Sequence, residues 1–171
     1  SVVMGSQTRK RIRHSGSLRD TLDVIDDAVQ LSITQTKVKA LELKGGSVFE
    51  SGRNIYQYLI AHVAYKLDEV GIEEIRTAAQ SEVDRHTGVD CEDYTIYIAA
   101  LALNMGYRVW MEVVAFRGRK QFQHVYAVIS DGMQDVAIDP TPDLETHRRL
   151  GFDTRPPQIT KTMKIDLLDT T

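Results

Sequence analysis

Residues 88–107, GVDCEDYTIYIAALALNMGY, hold the chain's one cysteine, Cys91, between Asp90 and the acids Glu92 and Asp93. From Cys91 to Met105 the apolar residues fit a helix, and the small and aliphatic content of IAALALN suits one buried on most sides. Gly106 closes it. A thiol at a helix start feels the positive end of the dipole, which favours the thiolate, whereas neighbouring carboxylates oppose it. A cysteine alone in a helix is most often a small buried hydrophobe. What Cys91 does therefore depends on what the rest of the chain brings to it.

Downstream the period changes. YRVWMEVVAF (107–116), FQHVYAVIS (122–130) and MQDVAID (133–139) are rich in Val, Ile and aromatic residues. RGRKQ and the Asp131-Gly132 turn separate them, which predicts an antiparallel meander. Upstream, Leu18, Leu22, Ile25, Val29 and Ile33 recur at helical spacing behind Asp20 and Asp23, and KGGSV at 44–48 ends the pattern. A second helix is expected from about Arg53 to Val70, with Ile55, Leu59, Val63 and Leu67 on one face, Ser51 as N-cap and Gly71 as the stop. Residues 72–90, IEEIRTAAQSEVDRHTGVD, are polar and irregular, with room for one short helix. The order of elements predicts an α+β domain, N-terminal helices and the cysteine-bearing helix packed on an antiparallel sheet. Four segments follow: a basic, flexible arm at 1–16, a helical segment at 17–44, the core at 45–145 and an extended, surface-hugging tail at 146–171.

The length of 171 residues suits one domain with a real core, and 42% hydrophobic with 26% charged residues is ordinary for a globular chain. A single cysteine excludes an internal disulfide framework and any multi-cysteine zinc site. No apolar run reaches the roughly 18 residues of a membrane span, so no membrane partner is expected. The net charge of −3 splits unevenly: Arg9, Lys10, Arg11 and Arg13 give the arm +4 and leave −7 elsewhere. Nucleic acid is accordingly not expected as a partner except through that arm. The expected setting is cytoplasmic or virion-associated. A secreted form stays open because the chain begins at Ser1.

A thiol nucleophile needs a base, and the base needs an orienting group. His124 sits near the start of the second strand and Asp139 follows the third. Counted from the Asp131-Gly132 turn, the two lie about seven residues back and about seven forward. An antiparallel pairing sets them side by side at the open end of the hairpin. His62, His14, His86 and His147 carry no ligand spacing, and Trp110 reads as core. Arg117, Arg119, Lys120, Arg148 and Arg149 read as solvated charge.

GVDCEDY, HVYAV and IDPTPD, in that order, resemble the transglutaminase-like superfamily of papain-fold cysteine enzymes over residues 55–143. The upstream YKLDEVGIEEIRT is similar to the segment before the cysteine in members encoded by phages and prophages. The resemblance implies a papain/transglutaminase-like core with Cys91 as nucleophile, His124 as general base and acid, and Asp139 orienting the imidazole. It implies a peptidase or amidase acting on a protein or peptide substrate through a thioester, with no cofactor required. Two alternatives stand beside it: a protein cross-linking transglutaminase, and a non-catalytic structural or binding module, for example in a phage particle. The Cys91 backbone N–H is a candidate oxyanion donor; Tyr65 and Gln80 are candidates for the second by residue type. For the acidic run there are two readings. Asp93 or Glu92 caps the helix, or Asp90 and Glu92 join Asp68 or a carbonyl as oxygen ligands for calcium, on which similar bacterial proteases depend. Val125 and Tyr126 stand where family members often carry Trp, which blurs the substrate class.

Overall fold

The computed structural model describes residues 10–13, 18–68, 72–116, 124–142, 151–152 and 159–168. Its helices are α1 (Leu18–Gln35), α2 (Lys37–Leu43), α3 (Val48–His62), α4 (Ala78–Val83) and α5 (Cys91–Asn104). Its strands are β1 (Lys10–Arg13), β2 (Ile72–Ile75), β3 (Arg108–Phe116), β4 (His124–Ser130), β5 (Asp135–Asp139), β6 (Gly151–Phe152) and β7 (Ile159–Asp166). The architecture is α+β: a five-stranded antiparallel sheet in the order β6-β5-β4-β3-β7, and a separate ribbon of β1 and β2.

Helix α5 is the axis of the fold. Between Cys91 and Ala102 every residue except Glu92 is buried. Helices α1, α2, α3 and α4 pack around it, and β3, β4 and β5 lie against it. A helix clothed on all sides can be apolar all round, and the alanines at 99, 100 and 102 let neighbours approach closely. Each fully buried Ile or Leu here contributes about 1.5–3 kcal/mol of apolar burial. Alternation along the strands divides the sheet into two faces. Val109, Met111, Val125, Ala127, Ile129, Val136 and Ile138 join the helices in the main core. Trp110, Val114, Tyr126, Val128 and Ala137 form a second cluster on the other face.

Several sequence expectations change. The second helix spans Val48–His62, with Ser47 rather than Ser51 as N-cap. Ser51 is buried inside it and takes the Gly45 N–H. The chain leaves the helix at Val63 because a parallel bridge claims the next residues: Val89 N donates to Ala64 O at 2.8 Å and Lys66 N to Val89 O at 2.9 Å. Leu67 is exposed instead of lining a helix face, and Gly71 lies outside the described residues. Part of the basic arm, Lys10–Arg13, is a strand paired with β2 rather than free chain. Of the tail expected at 146–171, the described residues 151–152 and 159–166 are strands, and β7 pairs with β3 over most of its length rather than lying on the surface alone. The meander forms as read, with the Asp131 side chain accepting the Met133 and Gln134 N–H groups in the turn.

The bridge beside Cys91 requires glycine. Gly88 has φ +110°, and a Cβ there would sit 2.8 Å from the Tyr65 carbonyl carbon and 2.9 Å from the Lys66 nitrogen. Backbone cannot yield as a flexible side chain does. Gly88→Ala is expected to cost about 2 kcal/mol or more, seen as a melting temperature lower by roughly 4–8 °C. An unchanged melting curve would contradict this account.

Candidate active site

The start of α5 is held by a chain of carboxylates. Asp90 is the N-cap, and Asp93 completes the capping box by accepting the Asp90 N–H at 3.0 Å. Of the two residues expected to cap the helix, Asp93 shares the task and Glu92 does not. Asp90 Oδ1 accepts the Cys91 N–H at 2.7 Å, and its Oδ2 accepts the Asp68 N–H at 3.3 Å. The Cys91 N–H is therefore engaged by the cap, which corrects its assignment as an oxyanion donor.

Asp93 is fully buried and meets Arg76, itself 5% exposed. Arg76 donates from Nη1 to Asp93 Oδ2 at 2.7 Å and from its backbone N to Asp93 Oδ1 at 2.8 Å. Its Nε reaches Asp84 at 2.8 Å and its Nη2 reaches Glu74 at 2.9 Å. Burial pushes the Asp93 carboxyl up to about 7, while the guanidinium and the two N–H groups pull the other way. Arg76 is held more firmly charged, its hydrogen bonds with Asp84 and Asp93 outweighing its own desolvation. Reading the sequence missed Arg76, whose partners come from α5, from β2 and from the turn after α4.

On the sheet, His124 and Asp139 are brought together. Asp139 Oδ2 lies 2.8 Å from His124 Nε2, and both residues are buried. Their relation is diagonal rather than side by side. The register Ala127↔Ile138 carries on to set Asp139 across from Tyr126, two residues beyond His124 on the same face. The turn holds four residues between Ser130 and Asp135, longer than a tight hairpin, which produces the offset. Thr141 N donates to Asp139 Oδ1 at 3.2 Å, so both carboxylate oxygens are in use. A carboxylate only accepts, so Nε2 carries a proton and Nδ1 is the basic nitrogen of the neutral ring.

The Cys91 thiol lies near β4 one residue further on, where the Val125 backbone amide favours its ionised form. Its Sγ lies 3.4 Å from Glu92 Oε2, to which it donates. Val125 faces the helices, whereas His124 shares the opposite side with Tyr126, whose ring centroid is 6.3 Å from the imidazole. Thiol and imidazole thus approach β4 at adjacent residues. Burial, followed by Glu92 and Asp90, pushes the Cys91 thiol well above its ordinary range, against the Val125 N–H that lowers it. In this arrangement the resting sulfur is protonated.

Tyr65 belongs to this neighbourhood. Burial, with the charges of Asp90, Cys91 and Glu92 and the pull of Asp90 on its hydroxyl, drives its ionisation far up. Gln80 does not: its Nε2 donates to Asp84 in the Arg76 cluster. Trp110 is core as read, donating to Glu112 beneath Lys164. His62 is exposed beside the Tyr58 ring and His86 is exposed. His14, His147, Arg117, Arg119, Lys120, Arg148 and Arg149 lie outside the described residues.

One ligand atom from each of Asp90, Cys91 and Glu92 falls within 4.8 Å of the others. That set does not fit calcium. Both Asp90 oxygens hold backbone N–H groups, Asp68 Oδ2 holds the Glu74 N–H at 2.9 Å, and Glu92 takes the thiol proton. Calcium requires six to eight free hard oxygens, and a thiol is not one. Compared with family models, curated proteins and solved structures, the chain matches none. Among the described residues, no helix is long and apolar enough to cross a membrane.

Removing the guanidinium leaves Asp93 buried without its partner. Arg76→Met is expected to cost about 3–5 kcal/mol in urea denaturation, and Arg76→Met with Asp93→Asn less than Arg76→Met alone. Equal losses would show the pair to be uncoupled. Asp68 gives a pH signature. Burial, with Asp90 adding to it, raises its carboxyl to about 6. Between pH 4 and 6 the native state then binds more protons than the unfolded one at this group, so its contribution to stability falls as pH rises. Asp68→Asn is expected to flatten the pH dependence of unfolding over that window. A slope as steep as wild type would remove Asp68 as its source.

Proposed function

We propose that the chain is a cysteine hydrolase of the transglutaminase-like, papain-fold kind, acting on peptide or amide bonds through Cys91, His124 and Asp139. The observation that carries the reading is the buried 2.8 Å His124–Asp139 pair, formed at the strand residue next to the amide that meets the Cys91 thiol. A carboxylate-oriented imidazole and a sulfur at a helix start are the parts nucleophilic acyl transfer uses; here they meet β4 at adjacent residues from opposite sides, so the transfer requires the imidazole to turn to the thiol's side of the strand.

In the proposed reaction the thiol proton passes to His124 Nδ1, leaving a thiolate and an imidazolium that Asp139 stabilises. The sulfur attacks the amide carbonyl carbon and the carbonyl π pair moves onto oxygen. Collapse breaks the C–N bond, and His124 returns the proton to the departing amine. Water, deprotonated by His124, then attacks the thioester and regenerates the thiol. Because the thiol donates its hydrogen bond to Glu92 at rest, that carboxylate must turn aside before the transfer. Tyr65, at the edge of the cluster, is the candidate donor for the developing oxyanion once its hydroxyl turns from Asp90.

A non-catalytic module is favoured by two details: a thiol held protonated and 9% exposed, and a Cys91 N–H spent on the cap. Mass spectrometry of adducts with peptide-amide electrophiles separates the readings. The hydrolase forms a thioester-type adduct at Cys91. His124→Ala and Asp139→Asn slow it by about 10²–10⁴-fold, and Cys91→Ala forms none. Glu92→Gln is expected to speed iodoacetamide alkylation at pH 7, since it removes a charge that raises the thiol. Equal alkylation rates in wild type and His124→Ala, with no adduct in either, would leave the module reading standing.

A further inference from the structure

Strand β7 is the last strand of the main sheet, and among the described residues no strand lies beyond it. One hydrogen bond fixes which of its backbone groups are left over. Leu167 N donates to Val109 O at 3.3 Å, and the pairs Trp110↔Asp166, Met111↔Ile165, Glu112↔Lys164, Val113↔Met163 and Val114↔Thr162 continue from there. Backbone groups alternate along an antiparallel ladder, so Ile165 and Met163 bond to β3 as Leu167 does. The N–H and C=O groups of Thr162, Lys164 and Asp166 therefore point away from the sheet. All three residues are exposed, and Ile165 between the last two is half-buried. At the opposite end of the sheet β6 offers only two residues.

This free edge is complementary to itself. Lys164 and Asp166 stand two residues apart on one face of the strand. The Lys164 ammonium lies 4.0 Å from the centroid of the Trp110 ring, and with three donors it can still serve an oxygen. Asp166 has no ion pair among the described residues. Two copies of an antiparallel edge related by a two-fold axis pair around one central residue, because residues directly opposite share a face. Centred on Lys164, two ammonium groups oppose each other, and centred on Asp166, two carboxylates do. Centred on Met163, Lys164 meets Thr162 and neither charge is answered. Centred on Ile165, each Lys164 faces the partner's Asp166, and the two isoleucines meet in the closer, non-hydrogen-bonded position. Leu168, at φ +49°, turns the chain out of the strand and ends the ladder there.

We propose that the outer edge of β7 is a docking site for a second copy of this chain, the two strands pairing antiparallel across a two-fold axis at Ile165 so that the sheets of both copies join into one. Main-chain hydrogen bonds from Lys164 and Asp166 supply the docking, and the doubled Lys164–Asp166 pairing supplies the register. Such an interface is isologous and uses up the edge, so assembly stops at two. Lysine on a free edge ordinarily discourages pairing; here it excludes the wrong registers and leaves one. This goes beyond the hydrolase reading and does not depend on it.

The test uses the full chain. Sedimentation velocity up to about 1 mM reports the oligomeric state, and hydrogen exchange at low and high concentration reports the Lys164 and Asp166 amides. A dimer is expected, with both amides protected only at the higher concentration. Lys164→Asp sets carboxylates opposite each other on both sides of the axis, and Asp166→Lys does the same with ammonium groups. Each is expected to weaken the dimer about tenfold. Lys164→Asp together with Asp166→Lys restores opposite charges and is expected to recover the dimer. Three outcomes would each overturn the proposal. The chain stays monomeric at the highest concentration; a dimer forms while the two amides exchange as fast as in the monomer; or the single variants dimerise as wild type does and the exchanged pair behaves no differently from them. None of these readouts involves turnover, so a failure of the hydrolase reading is told apart from a failure here.

Discussion

A guanidinium without water decides where the thiol stands. Arg76 is surrounded by Glu74, Asp84 and Asp93, contributed by a strand, a turn and the first turn of α5. Taking these charges out of water is expensive, and the expense is met only if every donor finds its oxygen at once. The geometry is therefore all or nothing. With it in place, β2 and the turn after α4 are tied to the start of α5, and Cys91 is fixed to within the play of one helical turn.

The charge balance at the sulfur follows from that scaffold. Asp90 and Asp93 are at the helix start because the backbone there has N–H groups to satisfy, and Asp68 comes with them through the Asp90 side chain. Their negative charge works against ionising the thiol, and so does burial. On the favourable side are the Val125 N–H and the helix dipole. The balance keeps the sulfur neutral until a base accepts its proton, and a neutral buried thiol is a poor target for adventitious oxidants.

How much was legible in the residues varies with how local the cause is. The period of 91–105 and the alternation of the three strands are local, and α5, β3, β4 and β5 appear where they were expected. The pairing of His124 with Asp139 came from counting outward from the turn, and it holds despite a two-residue offset set by loop length. What could not be read was non-local. Val63 to Lys66 continue a helical pattern yet leave the helix, because Val89 offers a backbone partner that only the folded chain presents. Ser47 and Ser51 are both good caps, and the choice depends on where Gly45 and Tyr107 lie. Arg76 looks like any surface arginine until Asp84 and Asp93 arrive. Lys10–Arg13 has the composition of loose chain, and its strand exists only because β2 has an edge to fill.

The position of β7 in chain order has a consequence for how the molecule is made. It closes the β3 edge, and it is translated after β3, β4 and β5. On the ribosome the meander can therefore zip up while β3 still shows a bare row of N–H and C=O groups over a hydrophobic strand. That is the state in which nascent chains adhere to one another. The alternation of Thr162, Lys164 and Asp166 with Met163 and Ile165 suits the remedy. The late strand is polar enough to stay in water while it waits, and it brings apolar residues at every second position. Timing, as much as equilibrium packing, is written into the composition of that segment.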